Sequence, residues 1–296
     1  MKIGIFSTFI EPAALELVRT VQNAVKTGEI PNTEVAFIFS NREQGESAQT
    51  NYILEQLSQS PIPLITLSAK KFNSRMRSQA KIEEEKGNFS PMKEWRNRFG
   101  EEVLKRLPPT DIDLLLGDMY IWGGNMCRER NGINLHPALP NGPKGEWYNV
   151  IWDLIQNRAS ETGVMIHRVI PELDRGPAIT YCSFPIREYQ FDILWNQLPQ
   201  DPDKSEKVIQ QGRAEKEKTQ YPLHEKIRKY ELAREFPLII QTTRAFAEGA
   251  IRIKGQILVD HEDKPIEGGY NLTKQIDEIV KPQLEGNFLA RKEVKR

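Results

Sequence analysis

The strand-like run Gly132-Ile133-Asn134-Leu135-His136 ends in an amide and an imidazole two residues apart. Alternation along a strand puts Asn134 and His136 on one side and Leu135 on the other. An amide donor and an imidazole aimed at one point can stabilise a developing oxyanion and move a proton. Further along, Asp174 stands on a turn closed by Gly176-Pro177, between the strand-like runs Gly163–Val169 and Ala178–Ile186. A carboxylate there could orient His136 and keep it protonated, or shuttle a proton through water. The same residues admit a purely structural reading: Asn-x-His can simply close a strand, and Asp-x-Gly-Pro is a favourable turn.

Other familiar chemistry is missing from the sequence. The four histidines, His136, His167, His224 and His261, have no metal-ligand spacing, and no HExxH or close His/Cys cluster occurs, so no metal is expected. No GxGxxG follows the first strand, and neither GxxxxGK[ST] nor a GxSxG elbow is present. Lys plus Arg and Asp plus Glu each number 41 among the 296 residues, giving zero formal net charge. Such balance leaves no sequence-wide footprint for nucleic acid or an anionic membrane. The two cysteines, Cys127 and Cys182, cannot build a disulfide framework. No run approaches the length of a membrane-spanning helix, and the N-terminal run Met1–Thr8 reads as a strand, not a secretion signal. A soluble, cytoplasmic, globular protein is the expectation.

The elements that must position these residues follow a strand–helix rhythm. Lys2–Ser7 is a short apolar run. From Pro12 onward Ala14, Val18, Val21 and Val25 recur at helical spacing until Thr27-Gly28. Pro12 suits an early helical position, where a missing N–H does no harm. Glu34–Ser40, Pro63–Leu67, Asp113–Met119 and Gly132–His136 read as further strands, and Ser47–Leu57 as a helix. The pattern predicts an α/β fold: an open, mostly parallel, Rossmann-like sheet with helices on both faces. Ligands bind such sheets beyond the carboxyl ends of the strands, where Asn134 and His136 lie. Two polar stretches, near 70–106 and 197–220, read as solvated insertions, although Ser90–Leu107 is helix-like. A long helical pattern runs from Leu223 to Glu248. The expected organisation is one catalytic domain over 1–272 and a C-terminal tail over 273–296.

Taken together in order, the motifs resemble the formyltetrahydrofolate-dependent formyltransferases, most closely their glycinamide ribonucleotide branch. Asn134-Leu135-His136-Pro137 resembles that family's Asn-x-His-Pro, and Lys144-Gly145 its following Lys/Arg-Gly. The segment from Gly163 to Pro177 resembles a second signature that ends in Asp-x-Gly-Pro. Leu116–Trp122 resembles the stretch that lies along the folate, and Phe39-Ser40-Asn41 and Glu235–Gly249 also have family counterparts. The resemblance implies a formyltransferase fold and a one-carbon transferase of purine biosynthesis. The donor would be 10-formyltetrahydrofolate, the acceptor a small-molecule amine, with no nucleic acid or membrane partner. Asn134 and His136 would stabilise the oxyanion, and Asp174 would relay protons. Met119, Tyr120, Ile121, Trp122 and Gly176 would line the folate site, and Ser7, Thr8, Lys144, Gly145 and Glu231 would bind the acceptor.

The acceptor half departs from the family pattern. Where the family has a glycine-rich turn that cradles a phosphate, this chain has Ser7-Thr8-Phe9-Ile10-Glu11-Pro12. Side chains hinder backbone approach to phosphate, and Glu11 adds a repelling carboxylate. Glycinamide ribonucleotide or a diverged amine are therefore both acceptors to consider. The alternatives are a formyltetrahydrofolate hydrolase, a sugar-nucleotide N-formyltransferase, and a folate-binding protein without turnover.

Overall fold

The computed structural model describes residues 1–117 and 122–293. In chain order the elements begin with β1 (Lys2–Ser7), α1 (Pro12–Lys26), β2 (Glu34–Ser40), α2 (Ala48–Ser58) and β3 (Leu64–Thr66). They continue through α3 (Ser74–Glu85), α4 (Ser90–Leu104), β4 (Ile112–Leu115), α5 (Gly124–Glu129), β5 (Gly132–His136) and α6 (Trp147–Gln156). Then come β6 (Glu161–Arg168), β7 (Ala178–Pro185), α7 (Tyr189–Trp195), α8 (Pro202–Glu215) and α9 (Pro222–Ala247). The last are β8 (Ile251–Lys254), β9 (Ile257–Asp260), β10 (Tyr270–Asn271) and α10 (Thr273–Glu293). Eight strands form one sheet in the order β10-β7-β6-β5-β4-β1-β2-β3. Pairing is parallel for β1 with β2 and β4, β2 with β3, β4 with β5, and β7 with β10. β6 and β7 pair antiparallel, and β8 and β9 form a separate two-stranded sheet. The α/β reading of the sequence matches this architecture.

The chain divides into two compact units. The first comprises Met1–Asn134, Arg168–Gly176 and Thr243–Gly255. Its parallel strands bury apolar residues on both faces, as sheets covered by helices require. Phe6 is central: its ring meets Phe37 edge-on at 5.4 Å and Trp122 at 5.0 Å. Gly4 is required where it stands, because a Cβ there would lie 2.3 Å from the Asp113 carboxylate and 2.4 Å from the Phe37 ring. Asp113 is completely buried and forms an ion pair with Arg130; Arg130 Nη2 also donates to Asp113 Oδ1 at 2.9 Å and to Thr110 Oγ1 at 2.6 Å. The bonded pair stitches the start of β4 to the segment entering β5.

The stretch near 70–106 is not a solvated insertion. It folds as α3 and α4, and α4 buries Met92, Trp95, Phe99 and Val103 in the same core as Phe6, Phe37 and Phe39. Those four apolar residues recur at spacings of three and four, a helical stripe that the surrounding charge obscures.

The second unit comprises Leu135–His167, Pro177–Thr242 and Gln256–Arg296. Its core gathers Val150, Ile151, Trp152, Phe184, Phe191, Trp195, Leu223 and Ile227. The other expected insertion, near 197–220, contains α8, with Asp201 capping the helix by accepting from Lys204 N at 3.1 Å. Gly212 of α8 lies against the Trp152 indole so closely that a Cβ would sit 1.9 Å from it. Residues 273–296, expected as a tail, begin instead with a docked helix: Ile276 and Val280 of α10 are buried. Arg234 of α9, 3 % exposed, lies 4.3 Å over the Phe184 ring and donates from Nη2 to Asp277 Oδ1 at 3.0 Å. Apolar residues every three or four positions hold this helix down, where charge alone had suggested a loose end.

Candidate active site

In the first unit, the parallel register sets Phe6, Leu115 and Asn134 level with one another and pairs Ser7 with Ser40. Ser7, Ser40 and half-buried Asn134 therefore lie at the carboxyl ends of β1, β2 and β5, where open parallel sheets receive ligands. Ser7 and Thr8 are buried, and Ser7 Oγ accepts the Phe9 N–H at 3.3 Å. Gly117, just beyond β4, has φ +73° and brings its backbone close to Ser7. Asp174 is half-buried with φ +52°, an αL conformation that Asp and Asn tolerate better than most residues. Gly176 closes the same turn. Of the expected folate-lining residues, Met119, Tyr120 and Ile121 lie outside the described residues. Trp122 is 1 % exposed and its ring belongs to the core, so only its backbone is available to a ligand.

In the second unit, His136 is 2 % exposed, and its Nε2 stands 3.0 Å from the Pro143 carbonyl oxygen. A carbonyl only accepts, so Nε2 carries a proton. The His167 ring lies edge-on to His136 at 6.3 Å. The intervening loop turns at Asn141 (φ +66°) and Gly145 (φ +102°), and Lys144 and Gly145 are exposed at its end. Two residues after Gly145, α6 begins at Trp147.

Glu231 departs from the expected role. Expected to read the acceptor, it is completely buried in α9, and neither carboxylate oxygen reaches solvent. Burial, and secondarily the neighbouring Glu235, drive its carboxyl well above the usual range, against the opposing pull of Arg228. The reason is helical position: Arg228, one turn earlier, takes the half-buried place. Its guanidinium lies 4.7 Å over the Trp147 ring, donates to Glu235 Oε1 at 2.6 Å and stands 3.7 Å from Glu231. His224 ties the same helix to α6, its Nε2 donating to the Tyr148 carbonyl at 3.0 Å. Trp147, Arg228 and the Pro143 carbonyl were not singled out from the sequence. Trp147 alone had a usable signal, an aromatic two residues after Gly145.

Among the described residues no group of three or more His, Cys, Asp or Glu is placed to hold a metal ion. No helix among them is long and apolar enough to cross a membrane.

The fold is shared with solved formyltransferase structures, and it is to enzymes of that class that the chain is similar. Within the class its similarities run to the phosphoribosylglycinamide formyltransferases. That of Dictyostelium discoideum is 26% identical over 167 residues, covering 52% of this chain and 71% of the relative. The phosphoribosylglycinamide formyltransferase structure from Coxiella burnetii matches with a TM-score of 0.60 at 19% identity, covering 92% of this chain and 98% of that one. Glycinamide ribonucleotide transformylase 1 from Symbiobacterium toebii gives 0.54 at 18% identity, covering 87% and 92%. These two likenesses show the shared fold. No family model matches the chain.

Proposed function

We propose that this enzyme transfers the formyl group of 10-formyltetrahydrofolate to the amine of a small acceptor. The observation that carries the reading is the pair Asn134 and His136 at the carboxyl end of β5, with the His136 ring oriented by the Pro143 carbonyl. The acceptor nitrogen attacks the formyl carbon, the carbonyl electrons move to oxygen, and the Asn134 amide and the imidazolium of His136 stabilise that oxyanion. As the tetrahedral centre collapses the bond to folate N10 breaks. The proton lost by the amine is delivered to N10, with Asp174 as the relaying carboxylate. The folate carries the activated carbon, so the chemistry asks only for positioning, an oxyanion site and proton transfer.

In this reading the enzyme works in the cytoplasm. The backbone of 119–122 and Gly176 line the folate, and Ser7, Thr8, Lys144 and Gly145 face the acceptor. Similarity to the Dictyostelium enzyme makes glycinamide ribonucleotide the first acceptor to try, with a place in purine synthesis if it is used. The test is release of tetrahydrofolate from 10-formyltetrahydrofolate with no amine, with glycinamide ribonucleotide, and with amino sugars. Turnover that requires an amine and collapses in His136→Ala supports the reading. Turnover in water alone identifies a hydrolase, and activity indifferent to His136 overturns the mechanism.

A further inference from the structure

The turn between β1 and α1 is built from side chains and proton acceptors, and this limits what can lie against it. Phe9 has φ +50° and is completely buried, so a large aromatic occupies the left-handed position where a backbone-only turn would carry glycine. Its N–H is engaged by Ser7 Oγ at 3.3 Å, and its carbonyl by Thr50 Oγ1 at 3.2 Å. At the start of α1, Pro12 has no N–H, and the Ala14 N–H donates to the Glu11 carbonyl at 3.1 Å. The donors that make a helix N-terminus attractive to anions are thereby reduced. Glu11 itself is exposed at the cap position, with its carboxylate not used in capping.

A second, separate observation comes from β2. Asn41, next after the Ser40 that pairs with Ser7, is 6 % exposed, and its Oδ1 is buried without a hydrogen-bond partner. A buried acceptor left without a partner is costly, so such an atom points to a group that brings a donor. Arg42 lies on the same side, its Nη1 3.5 Å from the Thr50 Oγ1 that bonds the Phe9 carbonyl. One carboxylate and one guanidinium therefore flank hydroxyls and an amide, a set that suits vicinal hydroxyl groups better than a dianion.

Resting on the formyl-transfer reading, we infer that the acceptor presents an unphosphorylated polyol to this turn, an amine-bearing sugar whose hydroxyls donate to Asn41 Oδ1 and to Glu11. A phosphate at the same place would meet the Glu11 carboxylate, with the Phe9 and Ala14 N–H groups already engaged and none on Pro12.

The test compares glycinamide ribonucleotide with glycinamide ribonucleoside, the same amine and ribose without the phosphate, as acceptors at saturating 10-formyltetrahydrofolate. The expected result is a kcat/KM for the ribonucleoside at least equal to that for the ribonucleotide. Glu11→Gln, an exposed and conservative change, shifts the ratio toward the ribonucleotide by about fivefold, the order expected when one charge is removed near a dianion in a partly solvated setting. A tenfold preference of the unaltered enzyme for the ribonucleotide overturns the inference, as does a ratio unmoved by Glu11→Gln. Rejection of both acceptors, with 10-formyltetrahydrofolate still bound, also overturns it. Failure of the underlying reading looks different: 10-formyltetrahydrofolate is then neither bound nor deformylated with any amine.

Discussion

The Nε2 of His136 lies 3.0 Å from the carbonyl oxygen of Pro143, seven residues ahead in the chain. This bond fixes the tautomer of a buried imidazole and ties the Ala138–Gly142 loop back to the strand that carries it. Neutral His136 should therefore hold its proton on Nε2, and nitrogen NMR of histidine-labelled protein should show that form. His136→Ala should lower kcat for formyl transfer by about 10²–10⁴-fold, the usual contribution of a positioned proton-transfer group. A His136→Ala enzyme with full activity would remove the imidazole from the reaction.

Glu231 offers a prediction in pH. Burial raises its carboxyl above the ordinary value of 4.5, so the folded protein holds a proton there that the unfolded chain releases. Its contribution favours the fold below the ordinary carboxylate range and is lost as pH rises toward the folded value. Glu231→Gln, which keeps the neutral shape, should flatten this part of the stability profile and melt no lower than the parent at neutral pH. Urea titrations of both proteins from pH 4 to pH 8 would check it. A large loss of stability in the glutamine variant at pH 7 would mean that the carboxylate is needed ionised beside Arg228.

The contact of Gly212 with Trp152 predicts intolerance of even one methyl group. A Cβ 1.9 Å from the indole forces backbone or ring to move, so Gly212→Ala should destabilise by about 1–3 kcal/mol. Thermal unfolding followed by tryptophan fluorescence reads the effect directly. An unchanged midpoint would show that α8 is free to shift from the indole.

Asp113 and Arg130 are buried as a bonded pair, with side chains 0% and 7% exposed. Removing one partner strands the other charge, so Asp113→Ala should cost about 3–5 kcal/mol. The double variant Asp113→Ala, Arg130→Met should be less damaging than the sum of the two single changes. Denaturant melts of all four proteins decide this, and strict additivity would deny the pairing.

The strands were legible because a buried parallel strand is written as an apolar run bounded by polar residues. Lys2–Ser7, Glu34–Ser40 and Gly132–His136 appear with those bounds. Ser47 was equally plain as a helix start, and its hydroxyl accepts the Thr50 N–H at 3.1 Å. Composition misled where few apolar residues do the anchoring. Four residues hold α4 in the core, and Ile276 and Val280 hold the start of α10, amid charges that read as solvent-facing. In the candidate site, Asn134, His136 and Asp174 are side chains that a motif can name. The Pro143 carbonyl is main chain, and every residue has one. The burial of Glu231 depends on how α9 is rotated, which the sequence does not set to within one residue.

Arg234 and Asp277 link the body of the second unit to the chain's last helix. Ending the polypeptide at residue 272 would take away the carboxylate and the cover of Ile276 and Val280 while leaving a buried guanidinium facing Phe184. The helix is therefore no appendage that a shortened protein could shed. It is a counterion delivered by sequence from far downstream, and the buried guanidinium of the second unit is without that carboxylate until the stretch has docked.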